Sequence, residues 1–293
     1  MIHKSVLKNQ VLEYLNPQTN ENFIDCTIGA GGHTQSILDK TGPNGKVLGI
    51  DLDEDAINYL KEGKLNKRLI LVNDSFINLK DIIQKKSFNG VSGILFDLGV
   101  SSDHLDTSGR GFTFQNDEVL DMRYKKEEGR LMAAEIINSY SQEDLEYILK
   151  EYGEERFARR IAKNIVEERK KERIITTQEL VEVIKRSLPI WSQKTKIHPA
   201  TRTFQALRIT VNDELNAIAK ALPQALEALE PGGRMVIISF HSLEDRIAKH
   251  FFRNRKNEGL ITILTKKPII ATEEEIKQNP RSRSAKLRAI QKI

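Results

Sequence analysis

The chain has 293 residues, 39% hydrophobic and 30% charged, with a net charge of +5 and a pI near 9.1. It is long enough for one large domain or two of ordinary size. No apolar run approaches the ~18 residues of a membrane span, and the first five residues lead into no signal-peptide core, so a cytoplasmic protein is expected. The single cysteine, Cys26, excludes an internal disulfide, no Cys/His cluster has zinc-ligand spacing, and an aromatic content of 6% advertises no base-stacking platform.

The first apolar run, at 23–28, breaks into Gly29, Gly31 and Gly32 and then into a helical pattern. This reads as strand, tight turn, helix, where glycines let the backbone approach a nucleotide-like ligand. A second strand, 46–51, ends in Asp51, about 20 residues after the glycines, the distance at which a carboxylate meets ribose hydroxyls. The third glycine of a dinucleotide fingerprint is replaced by Thr34, and no Gly-Lys-Ser/Thr triplet exists for a triphosphate. S-adenosylmethionine has a ribose and an adenine but no phosphate, and it fits what remains. Two roles are open to Asp25 beside the turn: facing the methionine ammonium, or holding the turn by bonds to backbone N–H groups. Cys26, within an apolar strand, reads as a small buried side chain.

Farther along, Asp53 caps a predicted helix at 54–63, and 68–72 is a third strand leading to Asn73, Asp74 and Phe76. Phe76 is placed either over an adenine ring or in the core of the next helix, with Asp74 or Asn73 at the adenine amino edge. A fourth strand, 91–96, runs into Asp97, Ser101 and Ser102. Strands alternating with helical patterns predict a parallel, doubly wound α/β sheet, with Asp25, Asp51, Asp74 and Asp97 on one rim.

The alternation stops from about 105 to 206, which predicts an inserted all-helical domain within a discontinuous one formed by 1–104 and 207–293. Ser141 with Asp144 and Thr176 with Glu179 have capping-box spacing. The segment 154–173 is rich in Arg156, Arg159, Arg160 and Lys163, which reads as a solvated helix face or as a nucleic-acid contact. The long loop at 101–124, with Phe112, Phe114 and Arg123, has the length of a functional lid. A buried strand at 234–240 ends in His241, a helix follows at 243–253, and 260–264 with 286–290 are expected to close the sheet as an antiparallel hairpin.

The motifs GAGGH at 29–33, DLGVSS at 97–102, RGFTF at 110–114, LDMR at 120–123, YGEERFARRIA at 152–162, HPATRTFQALRI at 198–209, SFHSLEDR at 239–246 and NPRSRS at 279–284 appear together and in this order. Jointly they resemble the bacterial ribosomal RNA small subunit methyltransferase H family, also called MraW, over nearly the whole chain. The resemblance implies a class I, Rossmann-like S-adenosylmethionine-dependent methyltransferase with a helical insertion that docks RNA. Its implied reaction is N4-methylation of a cytidine in the decoding region of 16S ribosomal RNA, within the small ribosomal subunit. It implies cofactor contacts at Gly31, Gly32, His33, Asp51, Phe76, Asp97 and His104. For the chemistry, Asp97, Ser101 and Ser102 are candidate acceptors for the amino group and His241 for its proton; no metal is required. Two other classes share parts of this pattern: an NAD(P)-dependent oxidoreductase shares the sheet and Asp51, and a non-catalytic RNA-binding factor shares the basic helices.

Overall fold

The computed structural model describes residues 5–63, 67–100, 108–125, 129–193 and 198–293. These form two compact units, one of Met1–Gly99 with Leu215–Ile293 and the other of Val100–Glu214.

The first unit is built on an eight-stranded sheet: β1 (Asn22–Asp25), β2 (Val47–Asp51), β3 (Leu69–Asn73), β4 (Val91–Asp97), β5 (Leu229–Ser239), β6 (Ile261–Ile263), β7 (Ile269–Ile270) and β8 (Lys286–Lys292). The order is β3-β2-β1-β4-β5-β8-β6, with β7 also on β8. The pairs among β1 to β5 are parallel, and β8 runs antiparallel to β5, β6 and β7. Successive side chains go to opposite faces. Ile24, Ile94, Phe96 and Ile237 enter one core, whereas Phe23, Leu95, Val236 and Ile238 enter the other. Both faces are covered, which is why these strands read as unbroken apolar runs rather than as alternating ones. Each fully buried side chain of this size contributes on the order of 1.5–3 kcal/mol.

Two expectations are refined here. β5 begins at Leu229, and the Pro231-Gly232-Gly233 turn is absorbed as an irregularity between the Val91–Leu229 and Gly93–Arg234 pairs. β6 and β8 do pair antiparallel, but no simple hairpin joins them: β7, the helix Glu273–Gln278 and the 3-10 turn Pro280–Ser284 intervene.

The second unit is helical, and its ordered elements include Ala133–Ser139, Gln142–Glu151, Ala158–Arg169, Thr177–Ser187 and Thr201–Asn212. Among the described residues its β content is one isolated bridge, Val119 to Thr176. It runs from Val100 to Glu214, past the expected 105–206, and beyond 206 Leu207 and Val211 pack into its own core with Ile136, Ile161 and Leu180. Helix starts follow their caps: Ser141 Oγ accepts from the Asp144 N–H at 3.0 Å, and Thr176 with Glu179 forms a reciprocal capping box.

Candidate active site

The strand order reverses between β1 and β4, and in such sheets the crevice for a ligand opens beyond the carboxyl ends of those strands. Asp25 ends β1, Asp51 ends β2 and Asp97 ends β4, so the three carboxylates share one rim. The turn after β1 needs glycine at two places. Gly29 and Gly31 have φ of +48° and +79°, and a Cβ on Gly31 would stand 3.0 Å from Leu60 Cδ2. Gly31 is the residue from which the helix Gly32–Lys40 starts, and no acidic side chain occupies its first turn. The first N–H groups of a helix have no partner within it, so this end of the helix is suited to a polar or negatively charged group.

Asp25 is fully buried, and its carboxylate accepts from Thr34 Oγ at 2.6 Å and from the Thr27 N–H at 3.2 Å. Of its two open roles, the structure displays that of holding the turn. Thr34, the residue that breaks the dinucleotide pattern, is Asp25's hydroxyl donor. Burial, opposed by the Thr34 hydrogen bond and the nearby His33, raises the Asp25 pKa to about 6. Thr27 also joins the strand ends, since its Oγ accepts from the Asp97 N–H at 2.7 Å.

Asp51 spans the two halves of the site. Its Oδ2 accepts from the Gly29 N–H at 2.8 Å and its Oδ1 from the Asp53 N–H at 2.9 Å. The helix Glu54–Glu62 is capped by Asp53, whose side chain accepts from the Asp55 N–H at 3.3 Å, so Asp51 is not needed as its cap. A carboxylate has about four lone-pair sites, so accepting these N–H groups is compatible with also receiving a ribose hydroxyl.

His33 Nε2 stands 3.5 Å from Asp97 Oδ2, an ion-pair contact too poorly aligned for a hydrogen bond. Both imidazole nitrogens and Asp97 Oδ1 are buried and lack a hydrogen-bond partner among the described residues. Burial lowers the His33 pKa, but Asp97 and Asp25 outweigh it and the net direction is up. Orphaned buried polar atoms are rare in folded proteins, and a cluster of them at a sheet rim fits a polar ligand group.

Phe76 is half-buried on a 3-10 turn, edge-on to Phe96 with ring centroids 5.7 Å apart. It joins the core beside β3 while part of the ring stays accessible. Asn73 is already engaged, its Nδ2 donating to the carbonyls of Asp51 and Leu52, and Asp74 Oδ1 accepts from Ser75 N–H and Asn78 Nδ2.

His241 caps the helix Ser242–Asn257: its Nδ1 faces the Glu244 N–H at a long 3.5 Å, and its Nε2 lies 3.2 Å from Glu244 Oε1. Glu244 Oε2 in turn accepts from the Phe240 and His241 N–H groups. Ser101, Ser102 and His104 lie outside the described residues.

The remaining motifs meet inside the helical unit. Arg110 donates to the carbonyls of Arg123 and Tyr124, and Arg123 holds Asp121 through two nitrogens, at 2.6 and 3.0 Å. Phe114 stacks on His198 with centroids 4.4 Å apart, and Phe112 stacks on Tyr124. Arg202 donates to the Glu154 carbonyl and Gln205 to that of Tyr152, while a Cβ on Gly153 would meet the Arg202 carbonyl at 2.7 Å. Across 108–124, the aromatic residues of the expected lid thus serve the packing of the unit. Sequence reasoning missed Asn212, which accepts from the Tyr124 N–H and donates to the Met122 carbonyl. No local pattern marks a buried asparagine late in a helix as the anchor of a loop 90 residues upstream.

The parallel sheet with its antiparallel β8, the glycine turn and the carboxylate rim define a class I, S-adenosylmethionine-dependent methyltransferase. Residues 1–293 match the MraW methylase family. The chain is 47% identical over 293 residues to ribosomal RNA small subunit methyltransferase H of Sulfurihydrogenibium sp. (strain YO3AOP1), covering 99% of each. It is 47% identical over 297 residues to the enzyme of that name from Kosmotoga olearia, covering 99% of this chain and 97% of that one. The match to the Syntrophotalea carbinolica enzyme is 44% over 308 residues, covering 99% and 98%. The chain belongs to the MraW methylase family.

Proposed function

We propose that the protein methylates the exocyclic N4 of a cytidine in the decoding region of 16S ribosomal RNA, with the small ribosomal subunit as its partner. The substrate class rests on full-length relatives named for methylation of small-subunit ribosomal RNA. The chemistry rests on one observation, the unpartnered Oδ1 of Asp97 at the reversal of the sheet.

S-adenosylmethionine, when bound, supplies an electrophilic methyl on a sulfonium. Gly31 allows close approach, Gly32 and His33 offer backbone N–H groups, Asp51 takes the ribose hydroxyls, and the accessible part of Phe76 covers the adenine. Cytosine N4 is a weak nucleophile because its lone pair is delocalised into the ring. Asp97 accepts an N4–H, localises that pair toward the methyl, and takes the proton released as the N–C bond forms and the S–C bond breaks. Positioning and fixed charge carry the rate, as they do wherever a polar group is held ready in a dry site. His241 is the second candidate for the proton. Its two nitrogens face Glu244, so its first task is to hold the start of its helix.

Incubation of small subunits lacking the modification with isotopically labelled cofactor, followed by nuclease digestion and mass spectrometry, tests the reading. N4-methylcytidine in the decoding-region fragment is the expected product. Asp97→Asn should lower turnover at least 100-fold, and a label on another atom or another base would refute the assignment.

A further inference from the structure

Trp191 is the only tryptophan of the chain, and it stands 65% exposed on the short helix Ile190–Gln193, beside Ile190 at 76%. Its ring meets Phe157 at a tilted angle with centroids 5.9 Å apart, and the Arg156 guanidinium lies 5.9 Å from the Phe157 centroid. Phe157 is fixed from below: it packs on the core of the helical unit, and its N–H donates to Glu155 Oε1 at 2.9 Å. The result is a continuous row of guanidinium, phenyl and indole.

The charge beside this row is distributed unevenly. Arg159, Arg160 and Lys163 share one exposed side of the helix Ala158–Arg169, an arc of roughly 100°. Among the described residues none of these three, nor Arg156, forms an ion pair. Elsewhere in the unit Lys170, Lys171, Lys185 and Arg186 each pair with a glutamate. Of the cations without an ion pair among the described residues, which also include Arg169, Arg173 and Arg202, four cluster at the aromatic row.

We propose that Trp191, with Phe157 and Arg156, is a stacking platform for an unpaired base of single-stranded RNA, whose flanking phosphates contact Arg159, Arg160 and Lys163. This rests on RNA being the substrate. An indole supplies a π-surface that any base can use, and arginines and lysines beside it supply backbone neutralisation; this pairing of groups is what single-strand binding requires. An apolar protein partner would leave four charges without counterparts.

Because Trp191 is the only tryptophan, its emission reports this platform alone. The full-length protein is titrated with a 12-nucleotide single-stranded RNA, with its duplex and with inorganic polyphosphate. Saturable quenching by the single strand, with little by the duplex or polyphosphate, is expected. Trp191→Ala should weaken single-strand affinity roughly 5- to 150-fold and raise KM for RNA with kcat and cofactor affinity unchanged, whereas Trp191→Phe should retain most of the affinity. RNA binding, seen by anisotropy, that leaves the emission unchanged overturns the proposal, as does equal quenching by polyphosphate. Wild-type protein that methylates ribosomal RNA, with an alanine variant of equal KM, defeats the platform but not the substrate. Failure of the wild type to bind any RNA defeats both.

Discussion

Asp51 shows how one carboxylate can both build a site and serve it. Its two oxygens each accept a backbone N–H, from Gly29 and from Asp53, so it pins the glycine turn to the end of β2 before any ribose arrives. A hydrogen bond to a charged group contributes about 1.5–3 kcal/mol, so Asp51→Ala should weaken cofactor binding roughly 10- to 150-fold by calorimetry. The asparagine variant should rescue little, because its amide N–H₂ would confront one of those two N–H donors. An alanine variant with the native dissociation constant would defeat the ribose assignment. An asparagine variant with the native constant would defeat the bridging role. Asp25 makes a different prediction, in pH. Its folded pKa of about 6 lies above the ordinary 3.8, so the folded chain holds a proton that the unfolded chain releases first. Stability therefore falls as pH rises between about 4 and 6, by on the order of 3 kcal/mol, and is level above that. Asp25→Asn keeps an acceptor for Thr27 and offers its amide to Thr34 Oγ without the charge. Denaturant titrations from pH 4 to 8 should show a flatter profile and higher stability at pH 8 for the variant, and superimposable profiles would clear Asp25 of the effect.

At the level of elements, legibility follows how local the cause is. β1 to β4 were readable because both faces of the sheet are covered, which turns each strand into an apolar run that ends in a polar residue at the rim. The caps at Asp53, Ser141 and Thr176 were readable because a cap is a contact across three residues. The rim carboxylates were readable as strand ends, Asp51 about 20 residues after the glycine turn and Asp97 after the fourth apolar run. What escaped depends on partners far along the chain. Thr27 locks onto Asp97 from 70 residues away, and Asn212 reaches back to Tyr124. The open choice at Asp25 was settled by Thr34, which sequence reading had valued only for not being glycine. Composition misled in one respect: an average of 6% aromatics says nothing about Trp191 and Phe157 being brought together at an unpaired cluster of arginines.

For the whole molecule the question is whether its positive charge acts as a diffuse field or as a docking surface. A net +5 spread evenly would steer any polyanion and give no register, whereas Arg156, Arg159, Arg160 and Lys163 concentrate four unpaired cations in the helical unit. Counterion release distinguishes the two. Each phosphate neutralised on a single strand contributes about 0.7 to the slope of log affinity against log salt, so replacing all four by glutamine should reduce that slope by roughly 2 to 3 if they touch phosphates. The same number of charges removed from exposed lysines of the sheet unit, Lys61, Lys86, Lys256 and Lys266, provides the comparison. That variant has the same net charge and should change the slope by less than about 1. Cofactor affinity should be native in both, which separates docking from damage to the site. Equal slopes for the two variants would mean that the field of the whole protein, not the helical insertion, brings the RNA in, and an unchanged slope in the first variant alone would remove these four residues from the RNA-binding surface.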